Sequence, residues 1–177
     1  GGGGNPKGVW EHQEWVRLND AILHHHQLNW HQTPPSELTV PPELQEEMSL
    51  LCQKQSSSVF CVKDPRFTWT LPLWKAYYDE ITLIHCFRNP VGFAKSLARV
   101  LPHQFHADHH SFNPVFQTWY DMNQALLGYH HSYPTFLFDY DRPFFQLQTQ
   151  LHDILRRLGF DFSPESILGF LPFHQMT

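Results

Sequence analysis

Arg88 and Ser96, with Gly92 midway between them, are the residues whose types and spacing could hold an anion. A guanidinium offers a planar fork of N–H donors that suits a phosphate or sulfate, and a serine hydroxyl adds one more. Asn89-Pro90 between them is a helix-start signature. Asparagine accepts from free backbone N–H groups, and proline at the first helical position gives up no hydrogen bond. An open helix end attracts negative charge, and Gly92 leaves the path from that end to Ser96 clear. Two plainer readings compete on spacing alone. Arg88 could pair with Asp64 or Asp141, and Ser96 could bond its own helix backbone.

Arg88 closes a near-continuous apolar run of Ile81, Leu83, Ile84, Cys86 and Phe87, which reads as a parallel strand covered on both faces. Beyond it, Val91, Ala94, Leu97, Ala98 and Leu101 share a helical stripe that must face a sheet, and Pro102 closes the helix. Two further apolar runs end in the same manner. Residues 59–62 lead into Lys63-Asp64-Pro65-Arg66, and residues 135–139 lead into Tyr140-Asp141. Three predicted strands thus carry polar groups at one end, and in open α/β sheets ligands bind beyond the carboxyl ends of the strands.

Helical patterns fill the intervals. Residues 10–30 place Trp15, Leu18 and Ile22 on one face, and Pro42 opens a helix with Leu44, Met48 and Leu51 inward. A short helical piece covers residues 71–78. Asn113-Pro114 starts a helix with Phe116, Trp119, Met122 and Leu126 inward and Gly128 as its cap. Pro143 starts another, with Leu147, Leu151 and Ile154 inward, stopped by Gly159, and Ser163-Pro164 begins a last one. The pattern is α/β, a parallel sheet flanked by helices, in one domain over residues 1–177.

Composition bounds the partners. A chain of 177 residues with 41% hydrophobic and 15% aromatic content fills a core. A net charge of −5 gives no basic field for nucleic acid, so any anion site must be local. No apolar stretch is long enough to span a membrane. Three cysteines, two of them in predicted strands, suggest reduced buried thiols and a cytoplasmic protein. The histidines invite a metal reading, but His24, His25 and His26 point three ways on a helix. His103, His106, His109 and His110 lack a completing cysteine or carboxylate beyond Asp108, so no metal is expected.

In their order along the chain, four stretches resemble the sulfotransferase family that uses 3′-phosphoadenosine 5′-phosphosulfate (PAPS), chiefly its bacterial sulfotransferase-like branch. They are Asn5-Pro6-Lys7-Gly8 followed by Glu11, Lys63-Asp64-Pro65-Arg66, Arg88-Asn89-Pro90 with Ser96, and Asp139-Tyr140-Asp141. The resemblance implies a three-layer fold like that of P-loop NTPases. It implies sulfuryl transfer from PAPS to a hydroxyl or amine acceptor, with adenosine 3′,5′-bisphosphate as the spent co-substrate. By the same likeness Arg88 and Ser96 would hold the 3′-phosphate, and Tyr140 would lie near the nucleoside. Lys63 would face the transferred group, with Asp64 and Glu11 as candidate bases, because Pro65 stands where many members place a histidine. Arg66 could clamp an anionic acceptor or form a structural ion pair.

The family also has an N-terminal strand, a Pro-Lys/Arg-Ser-Gly-Thr loop around the 5′-phosphosulfate, and a helix. Residues 1–4, all glycine, do not match it. The expectation is therefore a chain lacking that strand-loop-helix, able to self-associate through exposed sheet edges. The competing expectation is a non-catalytic nucleotide-binding or degenerate α/β module of the same fold.

Overall fold

Trp15, Leu18 and Ile22 recur at helical spacing and, with Asn19, line the inward face of α1, Gln13–His25. The computed structural model describes residues 11–55, 59–100 and 112–160. Helix α1 is shorter than its pattern predicts. Gln27 takes a left-handed φ of 59°, and Leu28 N–H folds back onto the Leu23 carbonyl at 2.9 Å. The second helix, α2 (Pro42–Lys54), starts at its proline and buries Leu44, Met48 and Leu51 as expected. A third, α3 (Phe67–Trp74), begins earlier than residue 71 and runs into a 3-10 turn over Lys75–Tyr77. Pro72 inside α3 has no N–H for the Thr68 carbonyl. The Tyr129 hydroxyl supplies the missing donor at 3.0 Å. These helices enclose Trp15, Leu18, Ile22, Leu44, Met48 and Trp74, and the Trp15 and Trp74 rings lie 4.3 Å apart.

The sheet has two parallel strands, β1 (Leu83–Phe87) and β2 (Thr135–Asp139), in register from Leu83 opposite Thr135 to Phe87 opposite Asp139. The crossover runs through α4 (Pro90–Val100) and α5 (Phe112–Tyr129), and α6 (Phe144–Arg157) follows β2. Ile84, Phe136, Phe138 and Tyr140 pack with Leu147 and Ile154 of α6, while His85 turns to the other face and bonds Asn123 and His130. Helices therefore cover both faces, as the α/β pattern requires. Gly159, at φ 84°, ends α6 as predicted. Gly128 does not cap α5, which continues to Tyr129.

Two further sequence expectations need correction. Residues 59–62 make no strand, so the sheet has two strands rather than three. The period-two alternation is present: Phe60 and Val62 pack on the Trp15 cluster, while Val59 and Cys61 are exposed. Alternation specifies two faces but not a neighbour, and a strand exists only where another backbone pairs with it. The second correction concerns β1. It is not apolar on both faces, because its buried side chain is His85 and Cys86 is exposed. Trp10, Pro102, the His103–His110 histidines and the helix expected from Ser163 lie outside the described residues.

Candidate functional site

Arg88 sits where β1 ends, and Tyr140 sits beside it where β2 ends. The Tyr140 N–H donates to the Phe87 carbonyl at 2.8 Å, carrying the pairing one step past the sheet. This brings the Arg88 guanidinium over the Tyr140 ring, 5.5 Å from its centroid, within cation–π range. On its other side the guanidinium lies across the first turn of α4. A Cβ on Gly92 would stand 2.9 Å from Arg88 Nε and 3.0 Å from Nη2, so the missing side chain makes room for the arginine itself. Arg88 Nε is buried and has no hydrogen-bond partner among the described residues. A buried donor without a partner costs about 1–3 kcal/mol, and each such group calls for an explanation, a bound ion among them.

The surroundings of Arg88 are fixed by other bonds. Asn89 Oδ1 accepts from Gly92 N–H at 2.7 Å, the helix cap that Asn89-Pro90 predicts. Asn89 N–H donates to the Asp141 carboxylate. Trp119 Nε1, on α5, donates to the Arg88 carbonyl at 2.9 Å. Ser96 is half-buried on α4, one turn beyond Gly92. Burial raises the pKa of the Tyr140 phenol and the Arg88 guanidinium offsets part of that rise, so the hydroxyl stays protonated at neutral pH. The two acids that competed for Arg88 are engaged elsewhere, Asp141 with Asn89 N–H and Asp64 with Arg66.

Lys63, Asp64, Arg66 and Glu11 are also brought together, but as partners of one another. Arg66 Nη1 donates to Asp64 Oδ1 at 2.9 Å and to Glu11 Oε2 at 3.4 Å, and Arg66 Nε donates to Asp20. Lys63 Nζ reaches Glu11 Oε1 at 2.7 Å. The Asp64 side chain is 0% exposed. Its two oxygens are taken by Arg66 N–H and Nη1 on one side and by Asn19 Nδ2 at 2.8 Å on the other. Asn19 Oδ1 then accepts from the Thr70 hydroxyl and the Trp74 indole. Burial alone lowers the pKa of Arg66, but the bonds from Asp20 and Asp64 outweigh it and hold the guanidinium charged. Of the two readings open for Arg66, the ion pair is the one formed. Lys63 stays 62% exposed at the edge of the network.

Sequence reasoning picked out Arg88, Gly92, Ser96 and Tyr140 but read Trp119 only as core, and it passed over Asn19, Asp20 and Thr70. One signal was available. Asn19 falls four residues after Trp15 on the inward face of α1, and a polar residue on an apolar stripe needs buried partners. Among the described residues no group of three or more histidines, cysteines or acids could hold a metal ion. No helix among them is long and apolar enough to cross a membrane. Comparison with protein-family models, curated proteins and solved structures found no match.

Proposed function

We propose that this chain is a sulfotransferase-like domain that takes the 3′-phosphate of a PAPS-type nucleotide where β1 and β2 end. The observation that carries the reading is the Arg88 guanidinium, held between the Gly92 backbone and the Tyr140 ring with its Nε buried and unpartnered. An incoming phosphate oxygen would satisfy that donor, with the Ser96 hydroxyl as a second contact. Tyr140 offers an aromatic surface for the nucleoside. On this reading, an acceptor hydroxyl or amine attacks sulfur as the sulfur–oxygen bond to the phosphate breaks. Lys63 is the exposed cation for the charge that develops on the leaving oxygen, with Glu11 beside it. A three-layer P-loop-like architecture, a cytoplasmic location and self-association along an open sheet edge belong to the same proposal.

A second reading, a nucleotide-binding module without catalysis, is favoured by the ion-pair network. Asp64 and Arg66 are committed to each other and to Asn19 and Asp20, which leaves neither as a base or an acceptor clamp.

Isothermal titration with adenosine 3′,5′-bisphosphate tests the site. Arg88→Ala is expected to lower affinity by about 10- to 100-fold, the worth of one charged hydrogen bond, and Ser96→Ala by about fivefold. Absence of binding to the wild type, or equal binding by Arg88→Ala, would falsify the assignment. Binding without sulfuryl transfer from PAPS selects the non-catalytic reading.

A further inference from the structure

His85, buried on β1, has no part in the nucleotide reading, yet hydrogen bonds lead from it to the Trp119 main chain, and the Trp119 indole in turn bonds the Arg88 carbonyl. Asn123 on α5 donates from Nδ2 to the Trp119 carbonyl at 2.7 Å. A carbonyl only accepts, so the Asn123 amide oxygen faces the other way, 3.2 Å from His85 Nε2. His85 Nε2 therefore carries a proton and Nδ1 is an acceptor, to which His130 Nε2–H donates at 3.1 Å. At the far end Trp119 Nε1 donates to the Arg88 carbonyl at 2.9 Å. Every donor points the same way, from His130 through His85 and Asn123 to the Trp119 main chain and from the Trp119 indole to Arg88. The His85 ring and the Asn123 amide pass polarisation along the first part, and the Trp119 residue joins it mechanically to the second.

We propose that this relay positions Arg88 for its anion, and that protonation of the His85–His130 pair loosens it. The ligand in this inference rests on the nucleotide-site reading; the coupling between α5 and the end of β1 does not. Trp119 is a positioning residue. It fixes the main chain where β1 turns into α4, and so fixes where the Arg88 side chain sets out to cross Gly92.

The pair takes one extra proton without rearrangement, because His130 can carry hydrogen on both nitrogens. A second proton puts two N–H groups nose to nose across 3.1 Å, so the His85–His130 contact must open and the relay loses its outer end. The polar groups facing His85 are Asn123 on α5 and His130 in the turn that follows it. Its own strand presents the Phe87 ring at 6.1 Å, and β2 presents Leu137 at the same register. Burial lowers the pKa of His85, with Asn123 opposing and His130 adding to the fall. The ring is thus neutral, and the relay closed, at neutral pH. The unfolded chain binds the proton first as pH drops, so the stability this histidine contributes is present above its ordinary pKa and is lost below it.

Hydrogen exchange without ligand reads the coupling, and titration with adenosine 3′,5′-bisphosphate reads its consequence. Trp119→Phe keeps a ring and deletes one donor. It is expected to speed exchange of the Asn89, Val91 and Gly92 amides about fivefold while α6 stays unchanged, and to weaken the bisphosphate about fivefold. In the wild type the same amides are expected to quicken, beyond the intrinsic rate change, as pH falls below the ordinary histidine range, because the His85 pKa is lowered. His130→Gln, whose amide can turn to accept from a protonated His85, is expected to remove that acid response. Identical exchange in wild type and Trp119→Phe, or an acid response that survives in His130→Gln, overturns the relay. Faster exchange with unchanged affinity overturns the positioning role. Exchange that responds as expected while the wild type fails to bind leaves the relay standing and removes the nucleotide reading.

Discussion

Arg66 and Arg88 are the same chemical group in opposite circumstances. Arg66 meets three carboxylates, Glu11, Asp20 and Asp64, inside a network that extends through Asn19 to Thr70 and Trp74. Arg88 meets an aromatic face and a glycine backbone, and its buried Nε has no acceptor among the described residues. A buried charge is tolerated when its bonds are complete. The first arginine is therefore an internal fastener between α1 and the chain entering α3. The second is held in place by packing and left chemically open. Folding alone rewards the first arrangement; the anion proposed above is what would complete the second.

The sharpest way to break this contrast is to damage the complete side. Asp64→Ala removes the acceptor of two Arg66 donors and of Asn19 Nδ2. Breaking one partner of a buried pair costs about 3–5 kcal/mol, which lowers the melting temperature by roughly 10 °C in a domain of this size. Calorimetry checks the figure. A loss below about 1 kcal/mol would mean that the network contributes little and that Asp64 is free for another task.

Gly92→Ala should separate stability from binding. Alanine is the better helix former, by up to about 1 kcal/mol. The new methyl meets only the tip of a flexible arginine, at 2.9 Å from Nε. The fold is expected to be as stable as before or slightly more so, with Arg88 pushed off the Tyr140 ring and bisphosphate affinity down by about tenfold or more, the size of one charged hydrogen bond. Unchanged affinity in a stable Gly92→Ala protein would show that the guanidinium can reach an anion from elsewhere, and the contrast with Arg66 would lose its meaning.

The open side of the comparison was the more legible one. Strand-end arginine, Asn-Pro and a glycine are local signals, and local signals survive from sequence to structure because backbone rules enforce them within a few residues. Asn89 caps Gly92 N–H as its type requires, and α2 and α4 start at their prolines. The complete side was illegible because its partners are far apart in sequence. Asn19 meets Asp64 across 45 positions and Trp74 across 55. The segment 59–62 shows the same limit, with correct alternation and no pairing neighbour. His85 carried a usable hint, a titratable residue inside an apolar run, but which helix would satisfy it was not written nearby.

Lys63 carries the smallest expected effect and the finest distinction. It belongs to the network by one bond to Glu11, yet its side chain is 62% exposed, against 13% for Arg66. Water screens such a pair, and holding a long side chain in one geometry costs entropy, so Lys63→Ala is expected to change stability by less than about 1 kcal/mol. If the lysine is the cation that faces a transferred group, the same variant loses sulfuryl transfer from PAPS while bisphosphate binding at Arg88 persists. If it only trims the network, neither quantity moves. A stability loss as large as that of Asp64→Ala would place Lys63 among the fasteners and leave the transferase reading without its cation.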